Sequence, residues 1–293
     1  MPFGSYVVVY LFVAGAGAGA FFLAACGAFY DAARATDASA DIRENLSGGF
    51  LAAPPLLALG ALCLLLDLGS PQRALLVLAN PLVSVMSFGA WCLLLLTVAS
   101  AAVAALGLAE KYPPAFMRTG CLVGLVLSPL VMAYTGVLLC TMVSVDFWNT
   151  PLLAVLFVCS SLSTGFAANT LANTLMKPLT RISPRAMGKL ARLFHAAETV
   201  ALIVFLASRF FATAAAQGSC VELLAGTAAP IFWCGVVVCG LLVPLVVSAG
   251  HARIAMLPAG RIIVASCSLI GGLALRYGIV AAATYTAITV PII

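Results

Sequence analysis

Five places in this sequence put ionisable side chains in or beside apolar segments, at Tyr10, Asp67, Tyr134, Glu198 and Arg276. Arg73, His195 and Tyr277 accompany three of them. An ionisable group in such a segment costs free energy unless it has a partner or a function, so each is a candidate functional residue. Phenol and carboxylate groups exchange hydrogen bonds and protons, whereas a guanidinium only donates and must find acceptors. The five residues therefore favour chemistry that moves protons within an apolar environment.

The composition establishes the environment of these residues. The chain has 293 residues, of which 64% are hydrophobic and 8% are charged, and its mean hydropathy is +1.18. Soluble proteins carry roughly 25% charged residues. A soluble enzyme, a nucleic-acid-binding domain and a disordered protein are therefore excluded, and the sequence is that of a polytopic membrane protein.

The apolar segments predict an all-α integral membrane fold with eight transmembrane helices, since a helix needs about 20 apolar residues to cross the hydrocarbon core. The predicted spans are Tyr6–Phe29, Gly49–Leu66, Leu82–Leu106, Phe116–Val143, Leu152–Leu175, Leu190–Ala214, Ala229–Ala249 and Arg261–Thr284. The stretches between them are too short for a folded domain outside the membrane.

A weak internal repeat suggests two halves. Phe12, Val13 and Phe21 recur 145 residues later as Phe157, Val158 and Phe166. We expect two four-helix bundles, formed by residues 1–144 and 145–293. Shared packing needs of helices rich in small residues explain the match equally well.

The basic residues predict the orientation, because Lys and Arg concentrate in cytoplasmic loops. With eight spans both termini lie on one side, and that side holds Arg73 and Arg209. The other side holds Arg34, Arg43, Lys111, Arg118, Lys177, Arg181, Arg185, Lys189, Arg192, Arg253 and Arg261. The sequence therefore predicts a multi-pass protein of the cytoplasmic (inner) membrane with both termini on the outer face.

This topology places Tyr10, Asp67 and Tyr134 toward the outer face, although they come from three helices. Two phenols and a carboxylate there could hydrogen-bond and deprotonate a lipid-soluble hydroquinone, whose oxidation releases two protons and two electrons. We expect Gly136, just after Tyr134, to leave room for a flat ring. Structural roles remain as alternatives: Tyr10 could be an interfacial anchor, and Asp67 could end its helix.

The other polar positions lie elsewhere in the spans. His195 and Glu198 are three residues apart and share a helix face, where a structural hydrogen bond is the simpler role. Arg276 lies well inside the last span and requires a partner or a water-filled cavity.

Several motifs occur in an order that resembles the NrfD/PsrC-type membrane subunits of polysulfide and related reductases. The resemblance covers essentially the whole chain. The motifs are YLFVAGAGAGAF (Tyr10–Phe21), DLGSPQR (Asp67–Arg73), NPLVSVMSFGAW (Asn80–Trp91), YTGVLL (Tyr134–Leu139), FWNTPLL (Phe147–Leu153), SSLSTG (Ser160–Gly165) and LRY (Leu275–Tyr277).

The resemblance implies an anchor of two four-helix bundles that exchanges electrons between menaquinol and a ferredoxin-like iron–sulfur subunit. That partner would serve a molybdopterin catalytic subunit or a multihaem cytochrome. Tyr10, Asp67 and Tyr134 would line the quinol pocket, and no haem or iron–sulfur cluster is expected in this chain. Tyr10 stands where some members have a histidine, and Phe88 replaces a frequent tryptophan. Glu198 and Arg276 could form an inward proton route.

Two other classes of membrane protein fit parts of the sequence. A haem-b anchor needs axial ligands such as histidine, and the chain has only His195 and His251. A transporter would have its site near the midplane, typically at an inverted repeat, whereas the repeat in this sequence is parallel and the polar cluster lies at one face.

The orientation is open to a direct test by cysteine labelling with a membrane-impermeant reagent in intact cells. A cysteine introduced at Ala74 should be modified, because its loop is predicted to face outward. A cysteine introduced at Ser183, in the basic loop, should not be modified. The reverse pattern would invert the topology.

Overall fold

A computed structural model describes residues 5–34, 36–67, 84–109, 114–176, 184–250 and 257–283. Within these ranges the chain folds into helices joined by turns, without a strand. The helices are α1 (Ser5–Arg34), α2 (Asp37–Leu46), α3 (Gly48–Asp67), α4 (Val85–Ala109), α5 (Pro114–Cys140), α6 (Pro151–Met176), α7 (Pro184–Phe210), α8 (Ala214–Ala225), α9 (Ile231–Leu242, with π-helical hydrogen bonding), α10 (Val243–Gly250) and α11 (Pro258–Ala281).

The predicted count of eight spans is confirmed, since eight helical segments are long and apolar enough to cross a membrane. They are Tyr6–Arg34, Ile42–Asp67, Val85–Leu108, Ala115–Cys140, Pro151–Met176, Met187–Phe210, Ile231–Ala249 and Pro258–Ala281. We call the side where α1 begins and α11 ends the terminal face, and the side where α1 ends and α11 begins the basic face.

Two helices end a few residues before the approximate bounds predicted for them, because turns follow. α5 ends at Cys140 rather than Val143, and a run of turns leads to α6. α7 ends at Phe210 rather than Ala214, because Thr213 starts a new helix: its Oγ1 accepts a hydrogen bond from Ala216 N at 3.2 Å and caps α8. A hydroxyl at this position satisfies one of the free N–H groups of a helix start.

The sequence analysis also missed the short helices α2 and α8. Several predicted features fall outside the described residues. They are the loop from residue 68 to 83, which holds Arg73 and the first residues of the motif Asn80–Trp91, then His251, and the end of the last predicted span at Thr284.

Helix α1 is the centre of the packing. Its most apolar window is 83% buried within the protein, against 22% for the span in α7. α1 packs against α3, α5, α6 and α11, while α4 contacts α3 and α5. α7 contacts α6 and α10, and α11 contacts α6 and α9. The grouping into two bundles stays a prediction, because α1 and α6 pack extensively across the proposed boundary.

The crossing of α1 with α6 depends on glycines that let the two backbones touch. A Cβ on Gly19 would overlap the carbonyl of Ser161, and a Cβ on Gly165 would overlap the backbone of Gly19. Asn169 reinforces this crossing, because its Nδ2 donates to Ala20 O at 3.0 Å and to Gly165 O at 2.9 Å. Small residues and buried amides are the usual means of holding helices together in lipid.

The connections at the terminal face are tied back to the bundle. Trp148 lies in the turn between α5 and α6, and its Nε1 donates to Ile279 O of α11 at 3.0 Å. Arg209 at the end of α7 donates from Nη1 to the carbonyls of Asp146 and Asn149, each at 3.3 Å. In the turn after α8, Thr227 donates its N–H and hydroxyl to Glu222, which lowers the pKa of that carboxyl.

The glycine crossing generates a stability prediction. Gly19→Ala should destabilise the protein by about 1–3 kcal/mol, the usual cost of overpacking a close-packed site. Gly107→Ala is the matched control, because a Cβ at Gly107 meets no atom within 4 Å. Thermal unfolding of the purified variants in detergent should show a lower midpoint for Gly19→Ala only. Equal midpoints would mean that the α1–α6 crossing tolerates a methyl group.

Candidate functional site

The structure brings two of the predicted site residues together near the terminal face. Tyr10 of α1 is 1% exposed and Tyr134 of α5 is 3% exposed. The two phenols are close enough to interact electrostatically. Tyr134 Oη donates a long hydrogen bond of 3.5 Å to Met86 O at the start of α4. Tyr10 Oη is buried without a hydrogen-bond partner of normal geometry among the described residues.

The ring of Tyr134 is positioned by a glycine of the neighbouring helix. A Cβ on Gly89 of α4 would overlap this ring, so the ring of Tyr134 packs directly against the backbone of α4 at Gly89. Gly136 does not leave room for a flat ring, contrary to our expectation. A Cβ on Gly136 would collide with the backbone of Ala154, so this glycine serves the contact between α5 and α6.

Asp67 is placed near this pair but does not join it. It is the last residue of α3 and its side chain is exposed. Gly60 of α3 packs against Ala14 of α1. Counting along both helices from that contact, at about 1.5 Å per residue, Asp67 lies about one helical turn nearer the terminal face than Tyr10. Phe88 is also exposed and does not contribute to the phenol pair.

Arg276 of α11 has the partners that the sequence required but did not identify. The side chain is fully buried, at 0% exposure. Its Nε donates to Leu11 O of α1 at 3.1 Å, and its Nη1 donates to Gly272 O at 3.0 Å. Nη1 and Nη2 also donate to the hydroxyls of Ser160 and Ser161 of α6, each at 3.0 Å. The guanidinium therefore links α1, α6 and α11.

Two aromatic rings flank the same guanidinium. Its central carbon lies 5.8 Å from the ring centre of Phe12 and 5.2 Å from that of Phe157. Both distances suit a cation–π interaction. Phe12 and Phe157 are also related by the 145-residue spacing found in the sequence, so the repeat-related positions meet around Arg276.

Glu198 and His195 of α7 are both buried, and each has its own partner. The Ser163 hydroxyl lies in a short hydrogen bond with Glu198 Oε2. His195 Nδ1 is 2.8 Å from Ala191 O, and its Nε2 is 2.9 Å from the Ser268 hydroxyl of α11. The carboxylate of Glu198 also interacts electrostatically with Arg276.

These contacts place buried polar side chains along the interface of α6, α7 and α11. The sequence analysis missed Ser160, Ser161, Ser163 and Ser268, because serines in a helix of small residues are typical of simple helix packing. The signal that could have found Ser160 and Ser161 is the buried arginine itself, which needs several acceptors from neighbouring helices.

Metal and disulfide chemistry have no site in the part of the chain that the structure describes. No group of three or more His, Cys, Asp or Glu side chains there could hold a metal ion. The ten cysteines are unpaired.

The fold and the buried polar network define a multi-pass membrane protein. A family model described as "Polysulphide reductase, NrfD" matches residues 1–288, and the chain therefore belongs to the NrfD family of polysulphide reductase membrane proteins.

Two curated proteins show the same relationship. The chain is 34% identical over 172 residues to "Protein NrfD" of Escherichia coli (strain K12), an alignment that covers 55% of this chain and 52% of that protein. It is 28% identical over 267 residues to the C chain of polysulfide reductase from Wolinella succinogenes, which covers 83% of this chain and 81% of that protein. The alignment with the first relative thus spans only about half of its length.

The guanidinium site generates the next prediction. Arg276→Lys keeps the charge but has three rotatable donors instead of a planar fork, so it cannot satisfy all four acceptors. Each lost bond from a charged donor should cost about 1.5–3 kcal/mol of folding stability. Arg118→Lys is the control, because Arg118 is exposed. Thermal unfolding should separate the two variants, and an unchanged midpoint for Arg276→Lys would show that the fork geometry is dispensable.

Proposed function

We propose that the chain is the quinol-binding membrane anchor of a respiratory oxidoreductase complex, which exchanges electrons between menaquinol and an iron–sulfur partner subunit. Membership of the NrfD family supports the membrane-subunit part of this proposal. One relative is named as one of the chains of polysulfide reductase, which supports a complex of several subunits.

The observation that carries the proposal is the buried phenol pair, in which the Tyr10 hydroxyl has no hydrogen bond of normal geometry among the described residues. A buried hydroxyl without a partner costs about 1–3 kcal/mol, so such groups call for an explanation. Tyr134 lies beside it with only a 3.5 Å hydrogen bond to Met86 O. Two buried phenol groups that make few hydrogen bonds, in an apolar region near a membrane face, suit a ligand with a flat ring and two oxygens.

The roles follow from the hydrogen-bonding capacity of each group. Tyr134 would hydrogen-bond one oxygen of the quinol, and Tyr10 would bond the other oxygen or orient it. Asp67, which is exposed one turn nearer the terminal face, would accept a proton and release it to water. Quinol oxidation releases two electrons and two protons. The electrons would pass to the iron–sulfur partner docked on the terminal face, since we propose no haem or iron–sulfur cluster in this chain.

The partner and the orientation belong to the same proposal. We propose a ferredoxin-like iron–sulfur subunit that serves a molybdopterin subunit or a multihaem cytochrome. The terminal face would be the outer face of the cytoplasmic membrane, in line with the distribution of basic residues. The turn that contains Asp146, Trp148 and Asn149 is held by α7 and α11, and would offer the partner a firm surface.

Glu198 and Arg276 could provide a proton route from the basic face. The Ser163 hydroxyl faces two acceptors, the Ser160 carbonyl at 3.0 Å and the Glu198 carboxyl group. The same hydroxyl thus joins the Glu198 side chain to α6. Glu198 also interacts electrostatically with Arg276, which supports a polar connection between the two residues.

The test is oxidation of a menaquinol analogue by the assembled complex. Tyr134→Phe should assemble normally because the ring is retained, but turnover should fall by about 5- to 150-fold, since one hydrogen bond in a desolvated site contributes about 1–3 kcal/mol. Asp67→Asn should also assemble, and should slow proton release.

Tyr6→Phe provides the matched control for these variants, because Tyr6 lies on the same face of the membrane but is 54% exposed. It should turn over at the wild-type rate. If Tyr134→Phe and Asp67→Asn assemble and also match the wild type, the phenol pair is structural and the quinol pocket lies elsewhere.

A further inference from the structure

A cavity of about 120 Å³ lies between α6, α7, α10 and α11, in the half of the protein that faces away from the phenol pair. It begins near Gly188 and Gly260, close to the ends of α7 and α11 at the basic face. Its deep end is formed by His195 and Ser268. Seven or eight residues separate the two levels, or about 10–12 Å along a helix.

Most of the cavity wall is apolar. Phe166, Ala191, Val247, Val264 and Ala265 are among the residues that line it. An apolar wall of this kind does not favour a chain of ordered waters, which need two to four polar partners each. The wall suits a hydrophobic ring or chain that enters from the membrane.

The hydrogen bonds at the deep end define which polar group such a ligand would carry. A carbonyl oxygen only accepts, so His195 Nδ1 must carry the hydrogen that bonds Ala191 O. In the neutral ring Nε2 is then an acceptor, and the Ser268 hydroxyl donates to it. Ser268 Oγ therefore keeps its lone pairs but has no hydrogen left for a ligand.

The other two hydroxyls that line the cavity are in the same state. Thr170 Oγ1 donates to Phe166 O at 2.9 Å, and Ser248 Oγ donates to Leu245 O at 3.0 Å. The serine and threonine oxygens in the wall can therefore accept hydrogen bonds from a ligand but cannot donate them. The donor-bearing side chains Arg261 and Asn173 lie toward the mouth.

We propose that this cavity is a second binding site, specific for the reduced, hydroxyl-bearing form of a lipid-soluble quinone. A hydroquinone ring fits the apolar wall, and its O–H can donate to Ser268 Oγ or Thr170 Oγ1. The oxidised quinone has only acceptor oxygens, which would face acceptors at the deep end and leave them unpaired. The site binds and holds quinol, and no electron transfer is assigned to it. It does not depend on the phenol pair.

Two probes that lack quinone redox chemistry and differ in one O–H group test whether the ligand's hydrogen-bond donor matters. 2-Methyl-1-naphthol carries one phenolic O–H, while 1-methoxy-2-methylnaphthalene has the same ring without it. Naphthol fluorescence should reveal two saturable sites per chain in the purified complex. At the cavity site the methyl ether should bind at least about 5-fold more weakly, because the lost hydrogen bond leaves the deep hydroxyl oxygens unsatisfied.

Point variants assign the second site to the cavity. Ser268→Ala and Thr170→Val should each weaken that class of naphthol binding, and Ala265→Leu should abolish it by filling the wall beside Ser268. Thr199→Val is the control: its hydroxyl bonds His195 O at 2.7 Å from the same helix, but it does not line the cavity. Tyr134→Phe should leave the second class unchanged.

Three results would overturn the inference: equal affinity for naphthol and its ether, naphthol binding that is unchanged in Ser268→Ala and Thr170→Val, or survival of the second class in Ala265→Leu. A phospholipid that native mass spectrometry finds retained by the wild type and lost from Ala265→Leu would replace quinol as the occupant. Failure of the proposed function would appear instead as unchanged turnover in Tyr134→Phe, so the two proposals fail separately.

Discussion

The buried guanidinium of Arg276 is the constraint on which the arrangement of the helices depends. A cation in an apolar membrane interior is costly unless its donors are satisfied, and here four bonds go to Leu11 O, Gly272 O and two serine hydroxyls. These acceptors come from α1, α6 and α11, so the three helices must meet at one level. The close glycine contact between α1 and α6 brings their backbones near enough for one side chain to reach both.

The same constraint fixes the candidate quinol site. Leu11, whose carbonyl is held by Arg276, is the residue after Tyr10. Phe12, whose ring flanks the guanidinium, is two residues after Tyr10. Side chains two residues apart on a helix point about 200° apart, so one turn of α1 faces the guanidinium on one side and the phenol pair on the other. Tyr10 is thereby held in a rigid element.

The sequence predicted the helices well because apolar length is a strong signal in membranes. It predicted that Tyr10 and Tyr134 lie toward the same face of the membrane. Successive spans run in opposite directions, and this places Tyr10 near the start of its span and Tyr134 toward the end of its own on one side. It could not predict the partners of Arg276, since Ser160 and Ser161 lie more than 100 residues away and resemble packing residues. It could not assign Gly136 either, because a glycine that admits a ligand and one that admits a helix look alike until Ala154 is seen against it. The pairing of His195 with Ser268 is invisible for the same reason, since the two residues are on different helices.

Two chemical settings thus occupy opposite halves of the protein. Near the terminal face, the phenols offer donors: Tyr134 makes one long hydrogen bond, and Tyr10 has no partner of normal geometry among the described residues. Near the basic face, the hydroxyls that line the cavity donate their hydrogens to backbone carbonyls and to His195. Donor groups bind the oxygens of a quinone or a deprotonating quinol, while acceptor groups bind the intact quinol. The difference lies in which acceptor each hydroxyl hydrogen reaches. Thr170 and Ser248 bond back to a carbonyl three or four residues earlier in their own helices, and Ser268 donates to His195. A tyrosine hydroxyl is too far from its own backbone to bond back in this way.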